Sequence, residues 1–495
     1  MPPGPEGSPE TIEPWQTPAD VMARPVYRTL ERPNILLLYT DQQRRDSLGC
    51  YGSQFASTPH LDALAAGGRR FERCYVQSPV CVPSRFAFLT GRYCSSTGVG
   101  SNGPEFPTDL IPVNQLLSPY GYHGAQIGKL HFMPHSNRDH RDPAPTYGFD
   151  TCIVSDEPGC YDDAYTRWVE RVAPEQVARI RTALPPAAVS GPQDLADYPA
   201  PGRNTHEPYL FEADEDLTHS AFVAAETCRF LECIGDEPFL AIAGFYAPHP
   251  PINPPRRFVE LLADRDLPLP RIGPGEPVRP EVAGLDEAGR RRMVHYYHAL
   301  VGHVDDQVGR ILATLEATGL TRNTIVIFTS DHGEYLGDHG RIQKGMPHSV
   351  ITNVPCIVRV PGDPRAGGAI AEVVEQIDVT ATILDYCGVQ APRFVQGCSL
   401  RPLLDGGAWH KRAALTEAFS EYGGSGSVTL QTARYLYGCD TSGRELLYDK
   451  REDPAEMCNV AADKHFAAVR GELRHRLNVR LQEARFSARP RVARY

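Results

Sequence analysis

"NILLLYTDQQ", residues 34–43, places five apolar residues in a row, Ile35 to Tyr39, and turns polar at Asp41. A strand with one face in water alternates apolar and polar residues. A run without alternation reads instead as a strand covered on both faces, the pattern of a parallel sheet flanked by helices. Further runs of this kind are "GAQIG" at 124–128, "FLAIAGFY" at 239–246, "TIVIFTS" at 324–330 and "CIVRV" at 356–360. Long segments with room for helices separate them. The clearest helix is expected over about 288–318, where Val301, Val304, Val308, Ile311, Leu312 and Leu315 step by three and four and Gly319 stands at the stop. The expected fold class is α/β, a large, mostly parallel central sheet with helices on both sides.

Around that core the composition changes. Residues 1–32 are acidic and proline-rich, with neither the basic start nor the apolar core of a secretory signal, and read as an N-terminal arm. The α/β domain is expected over 33–407. Within it, 134–220 is rich in Pro, Asp and Arg with weak periodicity, and reads as long loops over a sheet edge. From 408 to 484, short strand signals such as "SVTLQTA" and "RYLYGC", then a helix from about 461, suggest a smaller α+β domain. Residues 485–495 form a basic tail, read as solvated or as a clasp in a homo-oligomer.

The net charge of −11 argues against nucleic acid as a partner, because a phosphate backbone is held mainly by Lys and Arg. No apolar run approaches the roughly 20 residues of a membrane-spanning helix. The thirteen cysteines are an odd number, and no C-x-x-C pair occurs among them. That suits neither a disulfide framework nor a zinc knuckle. A soluble, cytoplasmic protein is expected. Cys81, between two prolines in "PVCVPSR", stands apart: a packed thiol, a metal ligand, a nucleophile or a precursor of something else.

In open α/β sheets, ligands bind beyond the carboxyl ends of the strands. Asp41 and Gln42 follow the first strand, and Asp331 and His332 follow "TIVIFTS". Each Asp alone could be a cap or turn residue. Together they offer oxygen and imidazole ligands to one divalent cation. Lys129 and His131 follow "GAQIG", His249 follows "FLAIAGFYAP", and Lys344 lies beyond the "SDHG" turn. Singly these are solvated loop residues; at one sheet edge they would form a basin for a compact anion. A metal beside such a basin implies a tetrahedral oxyanion ester, whose non-bridging oxygens the donors share while a His or Lys protonates the leaving oxygen.

Cys81-Val82-Pro83-Ser84-Arg85 is a C-x-P-x-R sequence, and here the chain resembles the sulfatases of the alkaline phosphatase superfamily. The resemblance runs through "NILLLYTDQQRRDSLGCYG", "GKLHF", "FYAPHPP", "GDHG", "IDVTATILD" and "ELLYDKREDPAEMCNVA", in the family's order. It implies an alkaline phosphatase-like fold and hydrolysis of small sulfate monoesters. It also implies oxidation of Cys81 to formylglycine by a formylglycine-generating enzyme, the aldehyde hydrate then attacking sulfur. Asp41, residue 81, Asp331 and His332 are implied as metal ligands. Arg85 would fix the hydrate, Lys129 and Lys344 would hold sulfate oxygens, and His249 with Lys344 would serve the leaving oxygen. His131 would be the base that regenerates the aldehyde. Asn102 is a substrate-binding candidate by its spacing from Cys81, or a turn residue. A helix starting near Pro83 would aim its N-terminus at the developing charge.

The sequence also departs from the family. Many sulfatases carry Asp-Asp and Asp-Asn where this chain has Asp41-Gln42 and Asp331-His332. One negative charge is lost and one nitrogen ligand gained, which brings manganese level with calcium and leaves magnesium behind. The same pairs occur in the related phosphonate monoester hydrolases and phosphodiesterases, the alternative activity. Lys129 and His131 in "GKLHF" favour the sulfatase. "KGMPHSV" lacks the acidic residues that relatives often place before the serine, and nothing in the sequence identifies the leaving group, although His135, Arg138 and His140 stand in a polar loop nearby.

Overall fold

The computed structural model describes residues 32–133, 145–182, 207–419 and 426–484. The N-terminal arm, the basic tail, and His135, Arg138 and His140 lie outside these residues.

The opening run forms β1 (Asn34–Asp41), with every residue buried. Its side chains alternate between two cores. Leu36 and Leu38 pack with Phe222, Val223, Val304 and Val308, and Ile35, Leu37 and Tyr39 pack with Val82, Phe86, Phe88 and Ile383. Helices thus cover both faces, which is why the sequence shows no alternation. Burying each such side chain contributes about 1.5–3 kcal/mol.

The other strands of this sheet are β2 (Arg69–Tyr75), β3 (His123–Gly128), β4 (Thr151–Val154), β5 (Phe239–Pro248), β6 (Thr324–Ser330), β7 (Asn353–Val354), β8 (Cys356–Arg359) and β9 (Ala369–Glu375). Their order is β4-β3-β5-β1-β6-β8-β2-β7, with β9 also on β2. From β4 to β6 every pairing is parallel, whereas β8 is antiparallel to both β6 and β2. The expected long helix spans Glu287–Ala317, capped by Asp286, whose side chain accepts from Gly289 N, and followed by Gly319 at φ 75°. Val301, Val304, Val308, Ile311 and Leu315 are buried, while Leu312 is partly exposed.

The reading of 134–220 as loops needs correction. β4 lies within it, as does a helix at Ala164–Val172 that buries Tyr165, Thr166 and Val169. β4 is a half-buried edge strand of four residues, too short for a clear period.

A second, antiparallel sheet follows: β10 (Ala413–Ala418), β11 (Ser427–Thr432), β12 (Tyr435–Asp440) and β13 (Glu445–Asp449). The terminal helix runs Ala467–Ala484, starting later than 461. Its Leu473 and Leu477 pack with Leu415, Leu430 and Ala87, so this sheet shares a core with the helix that begins at Cys81. A buried ion cluster lies at the same junction. Lys411 Nζ donates to Glu375 Oε2 at 2.6 Å and to Asp378, and Arg480 Nη2 donates to Glu375 Oε2 at 3.0 Å. No described helix is long and apolar enough to cross a membrane.

Candidate active site

Four neighbouring parallel strands, β3, β5, β1 and β6, end on the same side and deliver Lys129, His249, Asp41 and Asp331. Close approach of β3 and β5 depends on two facing glycines. Gly128 (φ 87°) pairs with Gly244, and a Cβ on Gly128 would sit 2.2 Å from the Gly244 carbonyl oxygen. A Cβ on Gly244 would meet the Lys129 carbonyl oxygen, also at 2.2 Å. With neither present, Lys129 N donates to Gly244 O at 2.7 Å, and the Lys129 ammonium reaches Asp41 Oδ2 at 2.7 Å.

Cys81 opens the helix Cys81–Thr90, two residues ahead of the start expected near Pro83. Pro83 is tolerated in this first turn, where backbone N–H groups have no intrahelical partner. Gly91, at φ 67°, ends the helix. Val82 N donates to Asn102 Oδ1 at 3.0 Å, so Asn102 helps hold the turn that presents Cys81. One turn on, Arg85 is 1% exposed and bridges the two site carboxylates, Nε to Asp331 Oδ2 at 2.9 Å and Nη2 to Asp41 Oδ2 at 3.3 Å. Tyr39 lies beneath its guanidinium, 4.7 Å from ring centre to Cζ.

The remaining groups converge on the thiol. Lys344 Nζ donates to Cys81 Sγ at 2.8 Å, His332 Nε2 lies 3.2 Å from it, and Asp41 Oδ1 lies 3.9 Å away. His332 Nδ1 donates to the Gly333 carbonyl at 2.8 Å, which leaves Nε2 of the neutral ring as the acceptor facing Cys81. Asp331 Oδ1 accepts from Gln42 N at 3.0 Å. Asp41, Cys81, Asp331 and His332 present ligand atoms within 4.8 Å of one another. Two buried carboxylates, an oriented imidazole and a fourth side chain fit a divalent cation, and the nitrogen in the set suits a transition ion.

Two carboxylates, Asp41 and Asp331, stand against three basic groups, Arg85, Lys129 and Lys344. Burial works to raise the Asp41 carboxyl, but Lys129, His249, Lys344 and Arg85 hold it well below the usual carboxylate range. Burial, aided by Asp41 and opposed by Lys344, pushes the Cys81 thiol up to about 11. Burial and Lys344 lower His249, whose Nδ1 donates to Pro250 O at 2.7 Å. Its Nε2 is therefore an acceptor while the ring is neutral.

His131 lies two residues beyond Lys129, buried, at φ 59°. Its backbone N–H and that of Leu130 both donate to Asp156 Oδ1 at 2.8 Å, which fixes the turn. The sequence reading missed Asp156 and Tyr246, whose ring lies 4.4 Å from the Lys129 ammonium. It also missed Glu334, which is 3% exposed and bonded to Gln42. A lone acid between Gly333 and Tyr335 was the available signal for Glu334.

Glu276, His339 and His348 form a second group with ligand atoms close together. The two imidazoles are stacked, with centroids 4.0 Å apart and planes 17° from parallel. Their in-plane lone pairs run side by side and do not converge on one ion. His339 instead donates Nδ1–H to Glu276 Oε1 at 2.7 Å.

Comparison with known proteins gives the chain a family. Residues 33–389 match the Sulfatase family. The chain belongs to the sulfatase family. Residues 337–483 of this sulfatase also match the C-terminal region of N-sulphoglucosamine sulphohydrolase. An arylsulfatase of Clostridium perfringens is 29% identical over 468 residues, which cover 88% of this chain and 91% of that one. An uncharacterized sulfatase of Escherichia coli is 28% identical over 469 residues, covering 90% and 86%. Among solved structures, the phosphonate monoester hydrolase of Agrobacterium radiobacter superposes with a TM-score of 0.73 at 26% identity, covering 91% of this sulfatase and 96% of the hydrolase. The fold class is thus that of the family, and the chain is a hydrolase.

Proposed function

We propose that this sulfatase hydrolyses sulfate monoesters, with residue 81 converted to formylglycine and one divalent metal, manganese or calcium, in the site. The observation that carries the reading is the convergence of Lys344, His332 and Asp41 on Cys81 at the first residue of a helix. A cation held by Asp41, Asp331, His332 and residue 81 would supply Lewis acidity, and formylglycine would supply the attacking hydroxyl.

The chain's own residues do the rest. Arg85 locks Asp41 and Asp331 in place and contributes positive charge where sulfate arrives. Lys129 and Lys344 bind the non-bridging oxygens. Lys344 and His249 serve the leaving oxygen: Lys344 as a donor, and His249, whose Nδ1–H is held by Pro250 O, through Nε2. His131 takes a proton from the residue 81 side chain to release sulfate.

A second reading, phosphonate monoester or phosphodiester hydrolysis, is favoured by the 26% identical phosphonate monoester hydrolase. Both substrates present one negative charge to the same basic groups. The test is a pair of initial rates, on an aryl sulfate and on an aryl phosphonate monoester. It uses one metal-replete preparation in which conversion of residue 81 has been measured by peptide mass. A preference for the sulfate supports the first reading. A preference for the phosphonate supports the second, and no turnover of either by converted enzyme overturns both.

A further inference from the structure

Gln42 is an uncharged side chain wedged among the charged groups of the site. Its backbone N–H donates to Asp331 Oδ1 at 3.0 Å, and its carbonyl accepts from Tyr297 OH at 2.8 Å. It lies at φ 66°, outside the region most residues prefer. The backbone is thus pinned from two sides, and what remains free is the orientation of the carboxamide. Its two ends differ: the oxygen only accepts and the nitrogen only donates. Oε1 accepts from Lys344 Nζ at 2.8 Å, while Nε2 donates to Glu334 Oε2. A carboxylate accepts and an ammonium donates, so the network has one consistent arrangement.

Glu334 is itself held. Its other oxygen, Oε1, accepts from Leu336 N at 2.9 Å and from Gln343 N. The Gln343 contact braces the backbone one residue before Lys344. One buried carboxylate therefore sets the Gln42 amide and supports the segment from which Lys344 reaches residue 81.

We propose that Glu334 is a positioning residue that turns the Gln42 carboxamide so that its oxygen, not its nitrogen, faces the reactive centre and Lys344. The proposal rests on the reading of residue 81 as that centre. With Glu334→Gln, the two backbone donors keep the oxygen of the introduced amide, so its NH2 faces Gln42. Gln42 must then flip, and two N–H donors confront the Lys344 ammonium and any cation beside it. Gln42→Glu alone sets two carboxylates against each other. The double exchange, Gln42→Glu with Glu334→Gln, restores one acceptor toward Lys344 and one donor-acceptor pair behind it, with no change in net charge.

The experiment is this double-mutant cycle on the metal-replete enzyme, read by kcat and KM on an aryl sulfate and an aryl phosphonate monoester. Calorimetric manganese affinity of the metal-free protein and thermal melting are read alongside. Each single variant should lose about 10- to 100-fold in kcat/KM and in metal affinity, as outer partners of metal sites do. The double variant should recover most of both. Glu334→Gln at the wild-type level, or a double variant no better than the worse single one, overturns the proposal, because a plain brace for residues 336–343 would not be rescued from position 42. If Glu334→Gln does not fold, the exchange variant and Gln42→Met carry the test: the first must retain metal affinity and the second must lose it. Wild-type enzyme that turns over neither ester would defeat the underlying functional reading, while the calorimetric cycle would still judge the role of Glu334.

Discussion

Arg85 Nε donates to Asp331 Oδ2 at 2.9 Å, and the two side chains are 1% and 0% exposed. No water can replace either partner. Arg85→Lys keeps the charge but loses the fork that spans Asp331 and Asp41 together. The expected result is a loss of at least about 100-fold in kcat, with stability lowered by about 3–5 kcal/mol where a partner is removed outright, as in Arg85→Leu. Steady-state kinetics and urea unfolding read the two effects separately.

If residue 81 is the proposed formylglycine, it separates one attack from repeated turnover. Cys81→Ala should abolish hydrolysis without unfolding the protein, since the side chain is small and buried. Cys81→Ser should accept one sulfuryl group and stall, because a single hydroxyl can attack but leaves nothing from which to eliminate sulfate. Intact mass after incubation with substrate should show one adduct on the serine variant; an unmodified mass beside full activity would contradict the formylglycine reading.

The glycine pair between β3 and β5 gives a prediction that touches no charged side chain directly. Gly244→Ala would place a methyl carbon 2.2 Å from the Lys129 carbonyl oxygen, with backbone as the obstacle. The strands must part there, so Lys129 should lose its 2.7 Å contact with Asp41. Turnover should drop by about 100-fold, a loss expected of a misplacement near 1 Å. A variant with wild-type kcat would show that the approach of β3 to β5 does not set Lys129.

Much of this was legible in the sequence because backbone topology does the placing. Asp41, Lys129, His249 and Asp331 each come at the end of a mostly apolar run, and parallel strands that share a direction gather at one edge the residues beyond their carboxyl ends. β2 was not legible: in "RRFERCY", Arg69, Arg70, Glu72 and Arg73 obscure a strand that buries Phe71, Cys74 and Tyr75. Asn102 gave no usable signal between its two readings, and its bond to Val82 N depends on how the chain folds back after Gly98. The link from Gln42 to Glu334 joins residues 292 apart and obeys no local period.

The junction between the two sheets should show itself in acid. Lys411→Met leaves Glu375 and Asp378 buried with less positive charge, and should cost about 3–5 kcal/mol. Burial works to raise the Glu375 carboxyl, but Lys411 and Arg480 hold it at about 2, below its ordinary 4.5. The stability this gives is present above about 4.5 and fades as pH falls toward 2. The gap in urea midpoint between wild type and variant should be full at pH 7 and should narrow as acid protonates the two carboxylates, Asp378, which burial raises, before Glu375. A gap that widens on acidification would contradict the role given to Lys411.

β1 is made early and waits long for one neighbour. It lies in the middle of the large sheet, yet its partner in β6 is 290 residues away, as in the pairing of Leu36 with Val326. At roughly 5–20 residues per second of synthesis, that is about 15–60 s during which an apolar strand waits without its neighbour. For most of that interval Cys81, 1% exposed in the finished fold, lacks the His332 and Lys344 side chains that pack against it. The newborn chain therefore carries both an unpaired apolar edge and an uncovered residue 81 until the last partner of β1 arrives.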